Sequence, residues 1–221
     1  MGNFVFADPV AKLLTIGRDQ NFIRPNYLQM GFSFEHIPEL IKLMQDDDLA
    51  NQPWDKNDNE SPIVYGQMHA WRILTELQAI EAIPAMIRLL RTLEDSSDDY
   101  ISTEIPRALG TLGEAAIIPS YELLLDHSAG TSPRINAATA IEEIGKKHPR
   151  LRRTCVYMLT NALAEYQIND EGVNSFIIMA LGGLKSHEAA NLVRKVIQDG
   201  HSDSGFSGGY NVYLRSIGLL N

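Results

Sequence analysis

Few side chains in this sequence stand where chemistry would need them. Cys155 is the only cysteine. A nucleophilic thiolate wants partial exposure and a nearby cation, whereas the run CVYML places Cys155 on an apolar helical segment, so a small buried core residue is expected. His187 and Glu188 offer one imidazole and one carboxylate, and Glu35-His36 repeats the pair in reverse order. That is too few ligands for a metal centre. The stretch Asp55 to Glu60 begins like a calcium loop, but Glu60 stands where the turn glycine belongs and Gly66 where the terminal glutamate belongs. Asp199, His201 and Asp203 alternate without either feature. Neither a serine-triad setting nor a phosphate-cradling glycine loop nor a dinucleotide fingerprint is present. No catalytic, metal or cofactor residue is assigned, and the reading leans away from an enzyme.

Candidates for binding are clearer. Lys42, Arg88 and Lys195 share one column of a repeated helix, interrupted by Leu123 and Cys155. Two readings stand for them: a solvated helix face, or a discontinuous basic stripe for an acidic peptide. Trp54 lies in an acidic insertion, where it either anchors the loop or is presented to a partner. Trp71, by contrast, sits beside apolar columns and is expected to pack in the core.

The elements that position these residues come from an internal repeat. The segments Phe22 to Met44, Met68 to Leu90, Thr103 to Leu125, Ile135 to Tyr157 and Ser175 to Ile197 align in physical columns. One column reads Leu28, Leu74, Leu109, Ile141, Leu181. With Arg24, Ala70, Ile105, Ala137, Ile177 before it and Gly31, Leu77, Leu112, Ile144, Leu184 after it, the spacing marks one face of a helix. After a short break the pattern restarts at Ile37, Ile83, Ile118, Arg150 and Ala190. Each unit therefore reads as two helices, A then B. Gly113 and Gly145 are expected to close A helices in the left-handed conformation, and Pro38, Pro84 and Pro119 to open B helices. Ser132-Pro133 reads as an N-cap and first helical residue. Pro106 predicts a kink or late start. The first unit is irregular, as terminal repeats often are.

One helix pair cannot cover its own apolar face, but stacked pairs share a continuous core. The expected fold is all-α, an α-solenoid of about five helix pairs in a single domain over 1–221. It comprises an irregular unit over 1–46, repeats over 61–198 and a C-terminal cap over 199–221, which reads as a complete stack. SPRINAATAIEEIG, with Arg134 before the Ala137-Ala138 pair and Gly145 after it, resembles the HEAT-like repeat consensus, an armadillo-type superhelix. HAWRILTELQAIEAIPAMIRLL and EIPRALGTLGEAAIIPSYELL are similar to the bacterial HEAT-like repeats named after phycobilisome lyases, and to an uncharacterised bacterial HEAT-like family. The resemblance covers roughly residues 22 to 198. It implies a scaffold for protein–protein interaction, binding a protein or peptide on a concave B-helix face or on the loop edge. The alternative it implies is a bilin lyase-type or assembly-chaperone activity on a tetrapyrrole-carrying protein. His187-Glu188 is similar to one pair of the iron ligands of deoxyhypusine hydroxylase, but the remaining pairs of that site are missing.

Charge then acquires a place. The net charge is −9, with 28 acidic residues, and more than half of these fall in loops leading from a B helix to the next A helix. They read either as N-caps with solubility or as an acidic recognition edge. Lys146, Lys147, His148, Arg150, Arg152 and Arg153 fall on the opposite rim. An acidic chain is poorly suited to phosphate backbones, so no nucleic-acid partner is expected. Apolar runs are too short to span a bilayer, and the N-terminus lacks a secretory pattern. A cytoplasmic protein is the expectation.

Overall fold

The computed structural model describes residues 6–18, 24–50, 62–94 and 99–220. Every regular element among them is helical. The chain divides into two compact units, 1–86 and 87–221.

The first unit contains α1 (Leu13–Ile16), α2 (Ile37–Met44), α3 (Asp47–Ala50) and α4 (Gly66–Glu76). Helix α4 packs against α1 and α2. A close approach to α1 depends on Gly66, since a Cβ there would lie 2.6 Å from Leu14 Cδ2. The expected first A helix is reduced to a single 3-10 turn, Leu28–Met30, closed by Gly31 at φ 88°. Leu28 is accordingly exposed, and its neighbour Tyr27 enters the core in its place. Tyr27 shares a 2.8 Å hydrogen bond with Nδ1 of the fully buried His69, whose Nε2 lies 2.8 Å from the Gly17 carbonyl. A carbonyl only accepts, so Nε2 carries the proton and Nδ1 accepts from the Tyr27 hydroxyl. Trp71 is buried, as its columns implied.

Helix α5 (Ile83–Arg91) precedes the elements of the second unit: α6 (Asp99–Leu112), α7 (Glu114–Leu125), α8 (Thr131–Lys147), α9 (Arg152–Ala164), α10 (Glu171–Gly183), α11 (Ala190–Gln198), α12 (Ser204–Ser207) and α13 (Gly209–Ser216). Here the segments read as A and B fall on successive helices. A helices α6, α8 and α10 pack side by side in order, B helices α7, α9 and α11 likewise, and α13 packs on α10 and α11. Helix α8 touches both neighbouring A helices and two B helices, which explains why its buried face is so wide. That face is built from Ala137, Ala138, Ala140, Ile141 and Ile144; alanine combines high helix propensity with a small side chain where neighbours press closely. Each fully buried isoleucine contributes about 2–3 kcal/mol of transfer free energy.

Several punctuation marks act differently from expectation. Gly113 does adopt a positive φ of 71° between α6 and α7. Gly145, however, lies within α8, and its missing side chain admits Leu184, whose Cδ2 would lie 2.7 Å from a Cβ. Helix α6 starts at Asp99 and runs through Pro106, so there is no late start. Helix α8 begins at Thr131, ahead of the expected Ser132-Pro133 cap. Because Gly113 alone joins α6 to α7, α7 starts early and Pro119 falls inside it. Its buried set becomes Ala116, Ile117, Ser120, Leu123 and Leu124, which turns Ile118 and Leu125 outward. The same rotation exposes Tyr157 on α9, where Cys155 and Val156 are buried instead.

Candidate functional site

Basic residues of the second unit are mostly occupied by structural contacts. Lys146 pairs with Glu142 at 2.6 Å, and Lys147 donates to the Arg107 carbonyl at 2.7 Å. His148 Nε2 lies 3.0 Å from the Gly110 carbonyl, in the last turn of α6, and so donates to it. Arg152 donates to the carbonyls of Leu184 and Lys185, just past α10, and pairs with Glu188 at 3.0 Å. Hydrogen bonds from Arg152 and from its own backbone N–H hold the Glu188 carboxyl down at about 2. His187-Glu188 is thus part of a C-terminal brace. Cation after cation on this rim completes the carbonyl end of an A helix, where the dipole favours positive charge.

The acidic loop edge does the reverse work. Asp126, Asp170 and Asp203 each accept a hydrogen bond from the backbone N–H two residues on, capping the element that follows. Asp126 also meets Arg91 at 2.7 Å, and the Ser128 hydroxyl followed by the Arg91 guanidinium pulls its carboxyl down to about 2. Asp170 thus caps an A helix, α10, whereas Asp126 caps the 3-10 turn His127–Ala129 and Asp203 caps α12.

Lys42 in the first unit and Arg88 and Lys195 in the second carry the basic column. Lys42 lies exposed on α2 in the first unit, with its ammonium 5.6 Å from the Phe6 ring centroid. Arg88 and Lys195 are both exposed in the second unit, but Leu123 and Cys155, at the matching positions of α7 and α9, are buried. Lys195 stands 5.8 Å from the centre of the Tyr166 ring, whose hydroxyl donates to Asp199 at 2.7 Å. Burial pushes the Cys155 thiol up to about 11, away from nucleophilic use. Trp54 and the stretch 55–60 lie outside the described residues. Among the described residues, no three His, Cys, Asp or Glu side chains gather as a metal site, and no helix is long and apolar enough to cross a membrane.

What the column argument missed is the outer face of α7 and α9. Ile118 is 53% exposed, Tyr157 65% and Leu125 39%. Tyr121, one turn from Ile118, is half-buried, and burial pushes its phenol up while Asn161 of α9 acts the other way; α7 and α9 pack together. Their neighbours carry both signs, with Arg153 and Glu122 exposed and Arg150 paired to Glu114 at 3.4 Å. The apolar columns carry the signal; on α7 the one-residue connection at Gly113 sets which of them face out, whereas α9 follows a different connection, the 3-10 turn Pro149–Leu151.

Compared with known protein families and with curated proteins, the sequence gives no match.

Proposed function

We propose that this chain is a HEAT-like α-solenoid acting in the cytoplasm as a non-enzymatic protein-interaction module. The observation that carries the reading is the outward-facing set Ile118, Tyr121, Leu125 and Tyr157 on neighbouring B helices. Supporting it, the groups that resemble reactive centres serve structure: Cys155 is core, and Glu188 is braced by Arg152. A B-helix row offers a broad surface to a protein or peptide, with aromatic and aliphatic side chains as anchors.

The test is site-specific photo-crosslinking in the native cell. A crosslinker at position 157 should capture a discrete protein partner, and one at the exposed Thr103 of α6 should not. Ile118→Asp should abolish the position-157 product while the melting temperature stays near wild type. Equal labelling from both positions, or an adduct indifferent to Ile118→Asp, would sink the proposal.

A further inference from the structure

Buried polar side chains on the loop edge of the second unit form an unbroken chain. Arg134, on α8, donates through Nε to the Leu124 carbonyl at the end of α7 (2.8 Å) and through Nη2 to Asn169 Oδ1 (2.6 Å). Asn169, in the turn after α9, donates through Nδ2 to the Ala162 carbonyl (2.9 Å) and to Asn174 Oδ1 on α10 (3.1 Å). Asn174 donates in turn to the carbonyls of Tyr166 (2.9 Å) and His201 (2.8 Å). One residue on, Ser175 Oγ accepts from the Asp203 N–H at 2.8 Å. Arg134, Asn169, Asn174 and Ser175 are all buried. Three helix pairs and the start of the terminal cap are therefore linked end to end.

Register shows that the chain is more than local capping. Arg134 and Asn174 stand at the same repeat position, directly before Ile135 and Ser175, and both bond a carbonyl closing the preceding B helix. Gln67 holds that position in the first unit and donates to the Asp46 carbonyl at 2.8 Å, just after α2. An amide or a guanidinium thus ties α4, α8 and α10 to the B helix before each, whereas Ser102 holds the position in α6 and bonds to the Asp99 carbonyl of its own helix. On the opposite rim Lys147, His148 and Arg152 also bond between pairs, but they are only partly buried; the rest of the interface is apolar, and its attraction is non-directional and tolerates sliding. Hydrogen bonds in a dry environment are directional, and breaking one leaves a buried group unsatisfied.

We propose that the Arg134–Asn169–Asn174 chain couples the three helix pairs of the second unit, so that they open as one cooperative body. A repeat stack lacking such a chain frays pair by pair from its ends. Coupling also fixes the spacing of α7, α9 and α11, whatever those helices bind.

Hydrogen–deuterium exchange on the full chain tests this. In wild type, the slowest amides of α6, α8 and α10 should exchange together. In Asn169→Ala, amides of α10, α11 and α13 should exchange about tenfold or more faster than those of α6 and α7, as the loss of buried hydrogen bonds on one side of a break requires. Asn169→Asp keeps the acceptor for Arg134 and loses the two donated bonds; it should give the same split, and it serves if the alanine variant does not fold. Leu159→Ala, a core cavity on α9 that leaves the chain intact, should instead lower protection evenly. Pair-by-pair exchange in wild type would overturn the proposal. So would an even loss or no loss in the Asn169 variants, a split in Leu159→Ala, or failure of both Asn169 variants to fold.

Discussion

In the second unit the row of α6, α8 and α10 (the A row) and the row of α7, α9 and α11 (the B row) end up with different surfaces. Between A helices, glycines bring backbones together: a Cβ at Gly110 would lie 2.6 Å from Glu143 Cβ, and one at Gly145 2.7 Å from Leu184 Cδ2. The B row has no such glycines, and its outer face carries Ile118, Leu125 and Tyr157 in water. Close approach leaves a row little freedom to vary, because any added atom must displace a neighbour. The B row keeps its outer positions free of that constraint. Recognition is therefore expected from the B row and stability from the A row, and substitutions in each row and on the rims between them separate the two roles.

The largest effect should come from Gly110. Its absent Cβ faces both Glu143 Cβ and, at 3.1 Å, the Glu143 backbone carbonyl carbon, so α8 itself would have to move. Gly110→Val should destabilise the second unit by about 3 kcal/mol, the upper range for overpacking a helix contact. Gly183 looks worse on distance alone, with Glu142 Oε1 only 1.7 Å from a built Cβ. That atom is the tip of a flexible side chain which can swing aside. Gly183→Ala should therefore cost less than about 1 kcal/mol. Urea unfolding followed by circular dichroism checks both, and equal costs would show that backbone proximity does not set the limit.

A smaller effect belongs to the rims that join the rows. Asp126 and Glu188 both have carboxyls held at about 2 when folded, below their ordinary values of 3.8 and 4.5. Lowered pKa values favour the folded state above the ordinary range, and that contribution is lost as pH falls from about 5 towards 2. Both pairs are partly exposed, so each should be worth less than about 1 kcal/mol. Melting temperature measured at pH 7 and pH 3 should fall further in wild type than in Asp126→Asn/Glu188→Gln. An identical fall in the two proteins would show that other carboxylates govern acid sensitivity.

Much of this contrast is legible in the sequence, and the remainder fails for definable reasons. The helical class, the pairing of A with B and the burial of Trp71 and Cys155 follow from spacing, because burial requires one apolar face per helix. The first A helix was overestimated, since Leu28 and Tyr27 are interchangeable in a column argument, while a single 3-10 turn selects only Tyr27. Which face of α7 looks outward depends on a one-residue connection at Gly113, a detail below the resolution of repeat alignment. The polar chain was only half visible: Arg134 is conspicuous, but Asn169 and Asn174 are ordinary loop and helix residues until the fold brings them together. A repeat position filled by Gln67, Arg134 and Asn174 shares a donor function without sharing a residue type.

The smallest expected effect on stability is the one that bears most on recognition. Ile118 and Tyr157 leave more than half of their surface in water, so removing their apolar groups gives up little burial. Ile118→Ser/Tyr157→Ser should change unfolding free energy by no more than about 0.5 kcal/mol, the range for surface substitutions. The same pair in a partner interface would be central anchors, where truncation costs about 2 kcal/mol or more in binding. Stability near wild type together with failure of the double variant to co-purify the partner that the position-157 crosslinker captures would confirm that these side chains are kept for a partner. A marked loss of stability would instead mean that they pack against the chain itself, and the contrast between the two rows would then be one of degree.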